Sequence, residues 1–297
     1  MLSSANESTK SRFDFLKYRY FWLAISVVYF MVGAAAYVMK GGFAYHIDFT
    51  GGAEIRASFE NPIEIGQVRE IISRNGWRDA VIQSIGNSGK TFLIRIGTPS
   101  AETEAQLTSA VVKGLPDNKM RVDSIQYVGA EAGKDTAYNA IIAVLIALFA
   151  LLIYIAARFE FRFGIGAIVS LVHDILAVMV FILLSGEPIS LHVLASILAV
   201  LGYSMNDTIV IFARIRENLA KHSNLSEYDL FNLSINQTLK RTLLTSFATG
   251  LSVLAIVIWG GEALRGLSVV MLVGIIVGTY SSIYIASPAT LAIKIKK

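Results

Sequence analysis

Two carboxylates lie inside long apolar stretches of this sequence, where ionised side chains are rare. Asp207 follows Asn206 towards the end of residues 189–213, and Asp174 follows His173 near the middle of an earlier stretch. A carboxylate inside a membrane costs several kcal/mol unless it is paired, neutral or hydrated, so it usually handles an ion. The chemistry that these residues can perform is the loading and release of a proton or another cation.

A cation that could act on Asp207 is Arg241, which lies at the start of a later apolar stretch. Arginine keeps its proton in proteins, so Arg241 cannot exchange its own. It can favour the charged form of Asp207 when the two groups are close, and release that preference when their helices separate. The alternative is structural: Asp207 forms a fixed pair, and Arg241 lies beside Lys240 at the membrane surface.

The other polar residues in the apolar stretches allow two interpretations. His173 and Asp174 are adjacent, so on a helix their side chains point about 100° apart, and one can bond a partner helix while the other faces water. They form either a structural pair or a second proton station. Asn206 has no charge to exchange, and we expect it to hydrogen-bond across helices or to orient its neighbour.

The apolar stretches are long enough to cross a bilayer. Of the 297 residues, 54% are apolar, which is too many for a soluble protein of this size. A run of about 18 or more apolar residues can span a membrane. The sequence predicts six spans, at residues 21–39, 135–157, 163–184, 189–213, 242–260 and 266–290.

Basic residues alternate in position along the chain and predict its orientation. The short loops at residues 185–188 and 261–265 contain Arg265 as their one basic residue, whereas the alternate segments contain many. By the positive-inside rule, the basic segments face the cytoplasm. The predicted cytoplasmic parts are residues 1–20, residues 214–241 with an amphipathic helix, and residues 291–297, and the predicted external domain is residues 40–133.

Topology therefore explains the basic residues, and no nucleic-acid partner is expected. The chain contains no cysteine, which excludes disulfides and cysteine-based metal sites. Ala34-Ala35-Ala36 resembles a signal-peptide cleavage site. The apolar stretch of the first span is longer than the usual apolar region of a signal peptide, which has about 7–15 residues, so we expect an uncleaved membrane anchor.

The predicted external domain alternates strands and helices. The pattern predicts strands at residues 53–60, 80–85, 91–96 and 120–128, and helices at residues 64–75 and from the cap Ser100 to about residue 113. The order β-α-β-β-α-β is that of a ferredoxin-like α+β fold. The domain has no Gly-rich phosphate loop and no Ser/His/Asp set, so we expect a binding or mechanical role.

Residues 46–52 (HIDFTGG) follow the first span. One interpretation is a turn, in which Gly51 and Gly52 supply permissive backbone and Asp48 bonds nearby amides. The other is a hinge or docking element that joins membrane motion to the external domain.

Two patterns concern packing. Ser226 is a predicted helix cap, and the residues that follow it form an apolar stripe, which indicates an interfacial helix leading into the fifth span. Gly274 and Gly278 have the GxxxG spacing that allows helices to approach closely. The stripe consists of Tyr228, Phe231, Ile235 and Leu239.

Five motifs resemble those of one family. They are residues 13–20 (FDFLKYRY), 46–52 (HIDFTGG), 172–174 (VHD), 202–218 (GYSMNDTIVIFARIREN) and 240–246 (KRTLLTS). The chain resembles the SecF family, the smaller-subunit family of the SecD–SecF protein-export factor in the RND (resistance–nodulation–division) superfamily. The resemblance covers nearly the whole chain. It implies a polytopic α-helical membrane protein with six transmembrane helices, half of an RND-type core.

The resemblance also implies a function. Such a chain associates with SecD and the SecYEG channel, often with YajC, and draws a translocating polypeptide outward after the SecA-driven phase. It is a multi-pass protein of the bacterial cytoplasmic (inner) membrane and is driven by the proton-motive force. By motif, Asp207 and Arg241 match the family's intramembrane aspartate and arginine. No cofactor is expected besides the transported proton, or a sodium ion in its place.

Three other functions remain open at this stage. An enzyme is disfavoured because residues 202–206 lack the final glycine of a nucleophile elbow, and neither Asp174 nor Asp207 has an intramembrane-protease context. An RND-type lipid or drug exporter would need a second half. A passive translocon scaffold would use Asp207 for structure alone, and its export would not depend on an ion gradient.

Overall fold

The chain forms two compact units. The computed structural model describes residues 13–78, 80–85, 88–97, 101–116, 118–222 and 224–293. One unit comprises Met1–Ala44 with Val144–Lys297, and the other comprises Tyr45–Ala143. The predicted cap Ser100, the turn residue Asn87, and residues 1–12 and 294–297 with their basic side chains lie outside the described residues.

Ten α-helices and four strands follow one another along the described chain. A short 3-10 turn, Leu16–Tyr18, precedes the first helix. In order, the elements are α1 (Arg19–Lys40), α2 (Ile47–Thr50), β1 (Gly52–Phe59), α3 (Ile65–Arg74), β2 (Val81–Ile85), β3 (Thr91–Ile96), α4 (Ala101–Gly114), β4 (Met120–Val128), α5 (Ala130–Arg158), α6 (Phe161–Ser185), α7 (Leu191–Lys221), α8 (Glu227–Trp259), α9 (Glu262–Ser281) and, after a π-helical turn at Ser282–Ala286, α10 (Ser287–Ala292).

The unit Tyr45–Ala143 contains an antiparallel sheet with the order β2-β3-β1-β4. This is the strand order of the predicted ferredoxin-like fold. Alternate residues of β1, such as Ala53, Ile55 and Ala57, are fully buried. They pack with Val68 of α3 and Leu107 of α4 in one core, so both helices cover the same face of the sheet.

The predicted number of membrane spans is confirmed. Within the described residues, six helical segments have the length and composition needed to cross a membrane. They are Leu16–Lys40, Ala130–Arg158, Phe161–Ser185, Leu191–Lys221, Glu227–Trp259 and Leu264–Ala292. The segments centred on α6, α7 and α9 are about half buried, whereas those of α1, α5 and α8 expose most of their apolar surface. The helices α6, α7 and α9 therefore form the core of the bundle.

The segment at residues 214–241 contains the predicted amphipathic helix that leads into the fifth span. The helix α7 continues to Lys221 and α8 begins at Glu227, so the amphipathic stretch and the fifth span are one continuous helix. Ser226 caps it as predicted, accepting a hydrogen bond from the amide of Asp229. Phe231 and Ile235 are fully buried. The apolar stripe faces protein, and no break separates it from the span.

Asparagines on α8 explain where this extension packs. The amide oxygen of Asn232 accepts hydrogen bonds from the backbone of Phe15 and Leu16, and that of Asn236 accepts one from Phe13. These bonds hold the segment before α1 against the first turns of α8. The family-like motif at residues 13–20 therefore has a structural role.

Small residues bring α7 and α9 together, as the glycine spacing predicts. A Cβ at Gly274 would overlap the side chain of Val200, and one at Gly278 would lie 2.8 Å from Cβ of Ser204. The absence of these side chains lets the two helices pack closely along this seam. The seam lies on the same face of α7 as the polar residues described next.

Candidate ion-coupling site

Asp207 lies at the meeting point of three spans. Its side chain is buried on α7, with the residue 2% exposed. The hydroxyl of Ser246 on α8 donates a hydrogen bond of 3.4 Å to Oδ2 of Asp207. The same hydroxyl lies 2.7 Å from that of Thr279 on α9. The carboxylate is thus held by a weak polar link to two neighbouring helices.

Arg241 does not pair with Asp207 in this structure. It is exposed on α8, five residues before Ser246, and the described residues include no ion pair between it and Asp207. The two predicted partners therefore lie in one region without direct contact.

Asn206 is the neighbour of Asp207 but points elsewhere. Its side chain is exposed and forms no hydrogen bond with another described residue, so the expected bond across helices is not formed within this chain. An exposed amide in a membrane span needs a polar partner. Within the described residues, the Asn206 amide on this face of α7 therefore lacks such a polar partner.

His173 and Asp174 form a buried pair on α6. Nδ1 of His173 lies 3.2 Å from Oδ1 of Asp174, and the residues are 8% and 0% exposed. The expectation that one would face water is wrong, because neighbouring helices cover both. Beyond their mutual contact the two residues have different partners: His173 bonds Ser26 on α1, and Asp174 bonds Ser204 on α7.

Hydroxyl groups complete this second cluster, and sequence reasoning missed them. Oγ of Ser26 on α1 lies 2.9 Å from Nε2 of His173 and 2.8 Å from the hydroxyl of Tyr280. Ser204 on α7 donates a hydrogen bond of 2.5 Å to Asp174. The available signal was the presence of serines at helical spacing in apolar spans. Such serines also occur in ordinary helix packing, so the pattern alone does not identify partners.

The segment at residues 46–52 is a one-turn helix, α2, anchored by charge. Nδ1 of His46 lies 3.0 Å from Asp48, and its Nε2 lies 3.0 Å from Glu54 on β1. Glu54 also pairs with Arg95 on β3 at 2.5 Å. The turn is therefore tied to the middle of the sheet by a cation between two carboxylates.

His46 is charged at neutral pH. Burial opposes the charge, but hydrogen bonds and the charges of Asp48 and Glu54 outweigh it and raise the pKa of His46 to about 9. Burial likewise opposes the charge of Glu54, while bonds to His46 and Arg95 hold the pKa of Glu54 below its usual value. The ion pairs persist across the neutral range.

The two glycines after α2 are required by the backbone. Gly51 and Gly52 have φ of 69° and 128°. A Cβ at Gly51 would lie 2.7 Å from Cα of Ala130, and one at Gly52 would overlap the carbonyl oxygen of Ile96. The permissive backbone predicted at the two glycines is confirmed, and Gly51 packs backbone to backbone against the first residue of α5. A hinge role stays a prediction.

We expect Gly51→Ala to destabilise the unit Tyr45–Ala143. The new methyl group would meet backbone atoms, which cannot rotate away, and a left-handed non-glycine residue costs about 1–3 kcal/mol. Limited proteolysis of the full-length protein in detergent should show faster cleavage within residues 45–143. Gly66→Ala on α3 is the matched control, because its Cβ would meet nothing within 4 Å. Equal protection of both variants would contradict the steric argument.

Comparison with known proteins identifies the family. Residues 108–296 match the family model described as "Protein export membrane protein SecD/SecF, C-terminal". The chain is 39% identical over 290 residues to the protein translocase subunit SecF of Calditerrivibrio nitroreducens, and the aligned region covers 96% of this chain and 95% of that protein. The chain belongs to the SecF family. It is 36% identical to the SecF subunit of Escherichia coli O157:H7, across 96% of this chain and 89% of that one.

Solved structures support the same assignment. The crystal structure of SecDF from Thermus thermophilus, a translocon-associated membrane protein, matches 96% of this chain with a TM-score of 0.85 and 35% identity. A SecDF structure in a super-membrane-facing form matches 95% with a TM-score of 0.66 and 33% identity. This SecF-family chain spans 39% of each of those chains. It is a multi-pass membrane protein and an accessory subunit of the Sec translocase.

Proposed function

We propose that this chain uses the proton-motive force to promote the late stage of polypeptide export, with Asp207 as the group that loads and releases the ion. The observation that carries the proposal is the environment of Asp207. It is buried among three spans, yet its hydrogen bond to Ser246 is long, at 3.4 Å. A carboxylate without a fixed ion pair can change its charge without breaking a strong bond.

Arg241 supplies the second state of the proposed cycle. When α7 and α8 shift so that the exposed guanidinium approaches Asp207, the ion pair favours the charged carboxylate. When the helices separate, the buried charge becomes costly and the group takes up a proton. Each proton that crosses 100 mV releases about 2.3 kcal/mol, which is enough to bias such a helix movement.

The proposed partner is SecD. The solved relatives are SecDF chains of which this chain spans 39%, and in isolation it exposes Asn206 and Arg241 on membrane helices. A second membrane subunit would cover these polar groups and complete the ion path. We place this pair beside SecYEG, with YajC and SecA as further associates and the translocating polypeptide as substrate.

The proposed location is the cytoplasmic membrane of a bacterium, with both termini in the cytoplasm. The support is the distribution of basic residues: Arg158 and Arg162 flank one connection, and Arg214, Arg216 and Lys221 lie at the end of α7. The predicted external domain, residues 40–133, then lies outside the cytoplasm, and ion passage would be coupled to its motion.

An experiment on whole translocase tests this function. In membrane vesicles that contain this chain and its partner subunit, an imposed proton gradient should increase the rate at which a stalled polypeptide completes export. A protonophore should remove the increase. An increase that follows a sodium gradient instead would assign sodium as the ion. An increase that needs neither gradient would overturn the proposal and favour a passive scaffold.

A further inference from the structure

The buried cluster on α6 joins three helices by hydrogen bonds. We define the buried polar chain by its members, which are Ser26, His173, Asp174 and Ser204. They are 5%, 8%, 0% and 1% exposed, respectively. In this order they link α1 to α6 and α6 to α7 through distances of 2.9, 3.2 and 2.5 Å. The links are continuous from the first span to the fourth.

The Ser204 end of the buried polar chain lies close to Asp207 along α7. Ser204 and Asp207 are three residues apart on one helix, so their side chains lie on the same face, less than one turn from each other. On the neighbouring helix, a Cβ added at Gly278 would lie 2.8 Å from Cβ of Ser204, and the next residue, Thr279, contacts Ser246 beside Asp207. A shift of α7 that accompanies a charge change at Asp207 must therefore move Ser204.

The Ser26 end of the buried polar chain lies on α1, the helix that leads into the unit Tyr45–Ala143. Ser26 is in α1, which continues through Lys40 towards Tyr45. Nζ of Lys40 donates hydrogen bonds of 2.6 and 3.2 Å to the carbonyl oxygens of Leu183 and Leu184 on α6. With Ser26 at one level and Lys40 at another, α1 is attached to α6 at two points. The two helices are tied to move together.

Hydrogen bonds of this kind are costly to break in a membrane, where no water replaces a lost partner. Asp174 accepts from both sides, from His173 and from Ser204. Ser26 contacts the ring nitrogen of His173 and the hydroxyl of Tyr280, which also donates to the carbonyl oxygen of Trp22. Each member of the buried polar chain is hydrogen-bonded to the next, so displacement of one member displaces its neighbour.

We propose that the buried polar chain transmits the movement of α7 to α1 and so couples the ion step to the external domain. The inference rests on the proposed function and deepens it. It assigns Ser26 and Ser204 as positioning residues that do not touch the ion. It also chooses between the two interpretations of His173 and Asp174: they connect helices and are not a second proton station.

The experiment measures ion flux and polypeptide export separately. Ser26→Ala removes the hydroxyl between α1 and His173 without changing the residues at the ion site. In vesicles with the whole translocase, we expect gradient-stimulated export to fall at least about fivefold, the lower end of typical coupling between sites. Ion flux through the complex should be retained. Ser26→Thr, which keeps the hydroxyl, should restore export.

A label on α1 reads the coupling directly. The chain has no cysteine, so Val38→Cys, at a position 80% exposed on α1, gives a single labelling site. A spin or fluorescent label there should respond to an imposed gradient, and Ser26→Ala should remove the response. Ser252→Ala is the matched control, because that exposed hydroxyl bonds only the carbonyl oxygen of Ala248 in its own helix. It should change neither readout.

Each result decides between the models. Retained export and label response in Ser26→Ala would overturn the inference, and so would a loss of ion flux, which would favour a proton station. If Ser26→Ala does not assemble, the same measurements on Ser204→Ala, at the other end of the chain, decide the matter. Asp207→Asn distinguishes the two proposals: if it keeps ion flux and gradient-driven export, the proposed function itself is wrong.

Discussion

Asp207→Asn is expected to abolish gradient-dependent export while the protein stays folded and assembled with its partner. The amide is nearly the same size as the carboxylate and can still accept the hydrogen bond from Ser246. It cannot bind and release a proton. The measurement is the export rate of a stalled polypeptide in membrane vesicles with and without an imposed gradient, which should become equal in the variant.

The same chemical change outside the membrane provides the control. Asp229 is exposed at the start of α8, where its backbone is capped by Ser226, and Asp229→Asn should leave the response to the gradient unchanged. At the cation, Arg241→Met should resemble Asp207→Asn, whereas Arg241→Lys keeps the charge and should retain part of the response. Full gradient-dependent export by Asp207→Asn would exclude ion exchange at this residue and leave the scaffold model.

Gly278→Ala is expected to lower the stability of the membrane bundle. The added Cβ would lie 2.8 Å from Cβ of Ser204 and 3.2 Å from its Cα, so α7 and α9 would have to separate. Overpacking of this kind costs about 1–3 kcal/mol, against the roughly 1 kcal/mol that alanine otherwise gains over glycine in a helix. Thermal unfolding of the full-length protein in mild detergent should show a lower Tm.

Gly250→Ala is the matched variant for this experiment. It lies in α8, and its added Cβ would only touch Leu272 at 3.9 Å, so its Tm should be unchanged or higher. Because Ser204 is a link in the buried polar chain, Gly278→Ala should also reduce gradient-driven export. A Tm equal to that of Gly250→Ala would show that the close seam between α7 and α9 does not limit stability.

Features that depend on neighbouring residues in the chain could be predicted from the sequence. The six spans follow from the length of apolar runs, and the βαββαβ order follows from alternating periodicity and turn residues. The cap at Ser226 and the close approach at Gly274 and Gly278 are also local patterns, and the structure confirms them. Each could be predicted because its signal is the type and spacing of residues within one helix or strand, although the sequence did not show which helix packs against the two glycines.

Continuity of α8 could not be read in the same way. The sequence predicted an interfacial helix leading into the fifth span, but not which parts of the chain it would contact. Tertiary packing decided this: Asn232 and Asn236 bind the backbone before α1, and Phe231 and Ile235 enter the core. The side-chain amides of Asn232 and Asn236, which could have been hydrated, are hydrogen-bonded instead to a segment that is distant in the sequence.

The partners of the buried acids were decided only by the tertiary structure. The sequence placed Asp207 and Asp174 inside membrane spans, and the cost of burying a charge made them candidates for function. Which hydroxyl meets which carboxylate depends on the rotation and register of several helices about their axes. A rotation of α8 that removed Ser246 from Asp207 would leave the apolar pattern of the sequence unchanged. Helix packing, through the glycine seam and the serines of α1 and α7, therefore placed one of the two acids in the candidate ion-coupling site and the other in the buried polar chain.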